Sequence, residues 1–251
     1  MVRQFTRWVA CRTDGIIAPT EKTAALLRGY GVQCPLYVVP TGIVMPQGGS
    51  PAEAQRLRES LRISEGQTVL LYLGRLAKEK NCGELLHGMA RFREAPVILL
   101  LVGDGPDRKS LEKLSQQMNL EGRVVFAGMV PPEQVGRYYQ LGDLFVSAST
   151  SETQGLTYME ALRAGLPLLC RRDSCLDGVV EQGVNGWQYT SEDDFAACIE
   201  KFIEHPECRE QMGQSAWVSG QRFSIETFAK EIESAYLECL HARCRKARGS
   251  A

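Results

Sequence analysis

The stretch Ser147-Ala-Ser-Thr-Ser-Glu152-Thr-Gln-Gly155-Leu-Thr-Tyr-Met-Glu160-Ala-Leu-Arg-Ala-Gly165 decides how this chain folds. Before it, Asp143-Leu-Phe-Val-Ser147 has the short, apolar, β-prone character of a buried parallel strand. After it, Leu156, Met159, Ala161 and Leu162 carry helical spacing, and Gly165-Leu-Pro167 ends the helix. The unit is strand, loop, helix. Its loop lies at the carboxyl end of a strand, where open parallel sheets bind their ligands. The polar run from Ser149 to Gln154 stops at Gly155. Free amides of the first helical turn face outward there and favour an anion, most often a phosphate.

Glu152 precedes that helix and Glu160 lies about one turn inside it. Both carboxylates can flank an anion at the helix start without sitting on it. As acceptors only, they seek hydroxyls. A sugar nucleotide offers a hexose on one side of its diphosphate and a ribose on the other. The same spacing also suits a helix-start carboxylate at Glu152 and a solvated Glu160. Upstream, Val69-Leu-Leu-Tyr-Leu73 reads as the first full strand, and Arg75 and Lys80 follow it in a loop. A guanidinium and an ammonium at a strand end can stabilise the charge of a departing diphosphate; a plain solvated loop would carry them equally well. Gly103-Asp-Gly-Pro106 closes the next strand, where glycine lets backbone approach a ligand or simply makes a turn.

Outward from there, the α/β alternation runs from Thr68 to Arg222. Strands are expected at 69–73, 97–102, 124–126, 144–147, 168–170 and 187–189. Between and after them come helices at 81–93, up to Met118, from Pro132 to Tyr139, and at 192–204, 208–222 and 225–244, with a helix and turn over 178–186. Residues 1–42 offer two short strands and two helices, too little for a core of their own. A Gly/Pro-rich link over 43–51 and a charged helix over 52–61 join the two parts.

Composition narrows the function further. With 251 residues, 44% of them hydrophobic and 24% charged, the chain can bury a core. A net charge of −1 argues against a nucleic-acid partner. No apolar run approaches the roughly 18 residues of a membrane span, and Arg3, Arg7 and Arg12 interrupt any signal-peptide core. Nine scattered cysteines without a Cys-x-x-Cys pair suit reduced thiols in a cytoplasmic setting. An Asp-x-Asp pair is absent, so no metal site is signalled. His87, His205 and His241 fall in helical stretches far from the loops, and Ser147, Ser149 and Ser151 have no histidine nearby to activate them. Neither a nucleoside-triphosphatase loop nor a dinucleotide fingerprint occurs.

The pair Glu152 and Glu160, with Gly155-Leu156 between and Gly165-Leu-Pro167 after, resembles the Glu-seven-Glu motif of the family-4 retaining glycosyltransferases of GT-B fold. The string Ser151-Glu-Thr-Gln-Gly-Leu-Thr-Tyr is similar to a bacterial subgroup that includes the diacylglycerol glucosyltransferases, although most relatives carry an aromatic residue in place of Gln154. Gly74-Arg75-Leu76 with Glu79-Lys80-Asn81 resembles the family's phosphate-contact motif, and Phe126-Ala-Gly-Met-Val130 its base-binding wall. The likeness spans roughly residues 14–240.

That resemblance implies a doubly wound, Rossmann-like parallel-sheet domain over 43–222 that binds a nucleotide-sugar donor. It implies a remnant of an acceptor-binding domain at 1–42 and a helix over 223–251 that crosses back to it, ending in the basic residues Arg243, Arg245, Lys246 and Arg248. The implied reaction transfers a hexose, glucose from UDP-glucose, with retention of configuration, to a lipid acceptor such as diacylglycerol. Arg75, Lys80 and the amides at Gly155, Leu156 and Thr157 would hold the phosphate, Glu152 the hexose and Glu160 the ribose. Gly74, Gly103 and Val130 would complete the donor site, with no metal. A peripheral contact with the inner face of the membrane follows from the lipid acceptor and the basic tail. The alternatives are a polysaccharide or soluble acceptor, or a nucleotide-sugar-binding fragment without turnover. With part of the acceptor domain missing, the chain alone is expected to bind donor far better than it transfers sugar.

Overall fold

The computed structural model describes residues 1–45 and 47–249, with side chains through Arg243. It separates into two compact units. The first comprises Met1–Val44, the short segment Thr153–Leu156 and the chain from Arg222 onward. Helix α1 (Val2–Ala10), strand β1 (Ile16–Ala18), helix α2 (Glu21–Gly29) and strand β2 (Leu36–Val38) open it. The two strands pair in parallel, Ile16 opposite Leu36. Thr20 starts α2: its hydroxyl accepts from the Thr23 amide at 3.2 Å and donates to the Thr153 carbonyl at 2.8 Å. One side chain therefore serves as helix cap and as tether for the 153–156 segment. A pair of three-residue strands cannot cover much apolar surface, and Phe5, Trp8 and Ile17 are exposed. The Phe5 and Trp8 rings stack at 6.1 Å, and the Arg12 guanidinium lies 4.2 Å over Trp8.

The second unit comprises Met45–Glu152 and Thr157–Gln221. It begins with α3 (Pro51–Ser60), where Ser50 and Glu53 form a reciprocal capping box. Then β3 (Thr68–Leu73), α4 (Cys82–Met89), β4 (Val97–Val102), α5 (Arg108–Gln117), β5 (Val124–Gly128) and α6 (Val135–Tyr139) follow. After β6 (Leu144–Ser147) come α7 (Leu156–Arg163), β7 (Leu168–Arg171), β8 (Gly186–Tyr189), α8 (Glu192–Glu204) and α9 (Pro206–Gly220). All six strands are parallel, in the order β5-β4-β3-β6-β7-β8.

This is a doubly wound sheet. The winding reverses between β3 and β6, whose Leu70 and Leu71 face Leu144 and Phe145. A crevice opens outside the carboxyl ends at such a reversal. Apart from the edge strand β5, the strands are buried on both faces, which is why β4 is apolar at all six positions. Period two sorts the side chains. Leu70, Tyr72, Leu99, Leu101 and Val146 pack with Leu85 and Met89 of α4 and Phe195 of α8. Phe145, one step out of phase, meets Tyr139 and Tyr158 instead.

The helix expected over 178–186 does not form. A 3-10 turn at Ser174–Leu176 leads into irregular chain, because Gly178, Gly183 and Gly186 take φ of 70°, 78° and 157°. Asn185, buried there, satisfies that backbone: it accepts from the Glu181 amide at 2.8 Å and donates to the Val179 carbonyl at 3.0 Å. Asn185→Ala is expected to cost about 1–3 kcal/mol by orphaning these buried groups. Urea unfolding checks this as a lower midpoint at unchanged slope.

The last helix, α10, runs over Ile225–Gly249, past the expected end at Cys244. It belongs to the first unit. Ser224 just before it bridges to Ile43, the Cys239 thiol donates to the Tyr37 hydroxyl at 3.5 Å, and Arg243 pairs with Asp14 at 3.5 Å. The side chains of Arg245, Lys246 and Arg248 lie outside the described residues. Among the described residues no helix is long and apolar enough to cross a membrane.

Candidate functional site

Three consecutive strand ends in the second unit are laced together by backbone hydrogen bonds. The Gly74 amide donates to the Val102 carbonyl at 2.9 Å, and the Gly103 amide to the Gly128 carbonyl at 2.8 Å. Leu76, fully buried, donates to the Asp104 carbonyl and accepts from the Asp107 amide, both at 3.0 Å. The loops after β3, β4 and β5 therefore form one rigid rim. It encloses a cleft of about 620 Å³ lined by Gly74, Arg75, Gly103, Pro106, Val130 and Val135. Four of the residues singled out from the sequence meet in this cleft: Gly74, Arg75, Gly103 and Val130.

Arg75 is exposed, and its guanidinium has no hydrogen-bond or ion-pair partner among the described residues. Its backbone is nonetheless held, since Tyr72 donates its hydroxyl to the Arg75 carbonyl at 2.9 Å. Such a cation has its position set from behind and its donors free in front. Asp104 is differently employed. It accepts from the Gly105 amide at 2.7 Å and from Arg108 at 3.1 Å. Those bonds, the Gly105 amide first, hold its carboxyl below the usual carboxylate range. The sequence marks the Asp104–Arg108–Glu112 ladder only by its spacing of four residues, from the loop before α5 into its first turns.

Lys80 ends a 3-10 turn at Lys78–Lys80, and its ammonium pairs with the carboxylate of Glu152. Both side chains are largely buried, at 24% and 17% exposure. Ser151 adds a second link between the same two loops, donating to the Glu79 carbonyl at 3.3 Å. The strand order explains the pairing: β3 and β6 are neighbours at the reversal, so their following loops are neighbours too.

Glu160 sits one turn inside α7, half-buried, and accepts from the Tyr139 hydroxyl at 2.6 Å. In the sequence Tyr139 marks only the end of a helix. Burial, then the adjacent Glu160, push its phenol well above the ordinary value, so it stays a donor. Gly155 has φ 70°, and α7 starts at the next residue. Gly155 and Leu156 group with the first unit, whereas Thr157 belongs to the second. Ser147 is occupied structurally, within 3.0 Å of the Tyr158 hydroxyl, and His87, His205 and His241 are all exposed on or between helices.

Residues 53–217 match the family model described as glycosyl transferases group 1. The chain belongs to that family. The group 1 assignment agrees with two curated relatives, both named alpha-monoglucosyldiacylglycerol synthase. The one from Streptococcus pneumoniae is 34% identical over 248 residues, covering 96% of this chain and 55% of that protein. The one from Acholeplasma laidlawii is 32% identical over 236 residues, covering 92% of this chain and 59% of that protein. The chain thus spans little more than half the length of these relatives. Among solved structures, the Anabaena protein HepE in complex with UDP and glucose aligns with a TM-score of 0.84 at 23% identity, over 93% of this chain and 66% of that one. Sucrose-phosphate synthase from Thermosynechococcus elongatus aligns with a TM-score of 0.78 at 25% identity, over 92% and 59%. The fold is that of the GT-B glycosyltransferases, with this chain covering part of theirs.

Proposed function

We propose that this group 1 glycosyltransferase chain carries the donor site of a retaining, family-4 type enzyme that moves glucose from UDP-glucose to a lipid acceptor such as diacylglycerol at a membrane surface. The observation that carries the reading is Arg75: an exposed guanidinium, without a partner among the described residues, on the rim of the Gly74–Gly103–Val130 cleft at the carboxyl edge of a doubly wound sheet. A diphosphate supplies the bidentate acceptors such a cation wants. The names of the two curated relatives support glucose and a diacylglycerol lipid, and the HepE complex supports UDP.

In this reading the nucleobase lies in the cleft against Val130, Glu160 takes the ribose hydroxyls and Glu152 the hexose hydroxyls. The bond from the sugar's anomeric carbon to the diphosphate oxygen breaks, and a bond to the acceptor oxygen forms on the same face. The acceptor's proton passes to the leaving phosphate oxygen. Arg75, Lys80 and the α7 amides from Thr157 onward stabilise the charge that develops there. These fixed cations and amides do the work a metal would do at a diphosphate, so no metal enters the reading. Calorimetric titration of the chain with UDP in EDTA tests it. Saturable one-to-one binding without metal is expected; binding that appears only when magnesium is restored would overturn the metal-free site, and no binding in either buffer would overturn the donor site itself.

A further inference from the structure

We infer that Tyr139 is a positioning residue that holds Glu160 for the ribose of the donor. This rests on the reading that Glu160 takes the ribose hydroxyls. Helix α6 has only five residues, yet it joins two parts of the site: Val135 at its start lines the cleft, and Tyr139 at its end donates to Glu160 Oε2 at 2.6 Å. The Tyr139 side chain is 1% exposed, and Phe145 of β6 lies against its ring at 6.4 Å between centroids. Phe145 in turn meets Tyr158 of α7 edge-on at 5.9 Å. The phenol oxygen is thereby fixed from the sheet, independently of the flexible stem of Glu160.

A glutamate on a helix surface samples several rotamers, and each must be given up when it clamps a ligand. The bond from Tyr139 removes that freedom in advance, taking one lone pair of Oε2 and leaving the remaining lone pairs of the carboxylate for a hydroxyl. The Thr157 carbonyl, 3.4 Å from the same phenol, is a much weaker second acceptor. Because α6 also carries the cleft wall, the wall and the carboxylate are set by one short element, so the base and ribose sites keep a fixed spacing. Preorganisation of this kind raises affinity only for ligands that use the held group.

The test compares UDP with its 2′,3′-dideoxy analogue by calorimetry on the full chain and on Tyr139→Phe and Glu160→Gln. Phenylalanine keeps the buried ring, and retained binding of the analogue reports that the variant is folded. In Tyr139→Phe the preference for UDP is expected to shrink about tenfold, the worth of one hydrogen bond to a charged group. The analogue's own affinity should stay within about twofold, since it does not call on Glu160. An equal loss for both ligands would reduce Tyr139 to packing and overturn the inference. A preference that shrinks in Glu160→Gln but survives in Tyr139→Phe overturns the positioning role alone. A preference intact in Glu160→Gln overturns the ribose assignment beneath it.

Discussion

Lys80→Ala is expected to weaken UDP binding by about a hundredfold, and by more than Arg75→Ala. Arg75 stands at the cleft rim without a partner among the described residues. Its removal therefore costs one charged hydrogen bond, about 1.5–3 kcal/mol or at least tenfold in affinity. Lys80 is paired with Glu152 in a largely buried setting. Deleting Lys80 loses the contact to the diphosphate and also leaves a carboxylate facing it, and like charges in a partly desolvated site repel strongly. The same reasoning gives Glu152→Gln the opposite sign for UDP. With the competing carboxylate neutralised, Lys80 is drawn more fully to the phosphate, and UDP binds several-fold tighter, whereas the extra affinity that glucose confers on UDP-glucose is lost. Combining Lys80→Ala with Glu152→Gln should recover part of the loss, which a double-mutant cycle reads as a coupling term. Additive effects of the two changes would show that the ion pair seen in the structure is not in competition with the ligand.

The second large effect is expected at Gly103. Its φ of 131° lies where side-chain-bearing residues are strained, and a Cβ there would come to 2.0 Å from the Gly74 carbonyl oxygen. Neither partner can retreat cheaply: the Gly74 amide is bonded to Val102 and the Gly103 amide to Gly128. Gly103→Ala must distort the rim that joins three strand ends. The backbone strain alone is about 1–3 kcal/mol, and the displaced backbone adds to it, so a loss of about 3 kcal/mol or more is expected, together with loss of UDP binding. Chemical denaturation and a UDP titration on the same variant separate the causes. A wild-type midpoint with binding abolished would mean that the glycine serves the ligand alone. No change in either would mean that the close approach of Gly74 is easily relieved.

The close approach also gives Gly103 a structural role. From the sequence it is either a place where backbone nears a ligand or an ordinary turn. In the structure the backbone that nears it is the chain's own, at Gly74, and the cleft wall follows from that contact. The integrity of the rim thus rests on a residue that also lines the cleft.

Much of the architecture was legible because it rests on local chemistry. Val97–Val102 and Leu144–Ser147 are strands over the whole of their apolar runs and, in the second, one serine beyond it, since a parallel strand covered on both faces is near-continuously apolar. Ser191 followed by three acidic residues opens α8 where capping places it. Strand–loop–helix succession around Glu152 and Glu160 likewise comes from residues close in sequence. The stretch from Gly178 to Gly186 shows the limit of that reasoning: apolar Val179, Val180 and Val184 suit a helix, but the glycines around them adopt positive φ because Asn185 and the start of β8 satisfy the backbone instead.

Residue types by themselves determined an α/β unit of buried strands, the loops that carry its polar chemistry, and the cations and carboxylates available there. Only the tertiary structure decided which of these meet. Lys80 and Glu152 are 72 positions apart, and Tyr139 and Glu160 are 21 apart. The first pair exists because β3 and β6 are adjacent where the winding reverses, and the second because Phe145 braces Tyr139 beneath α7. Hydrophobic periodicity says that a strand is buried without saying which strand lies beside it, so contacts between loops follow from sheet order, a property of the packed whole.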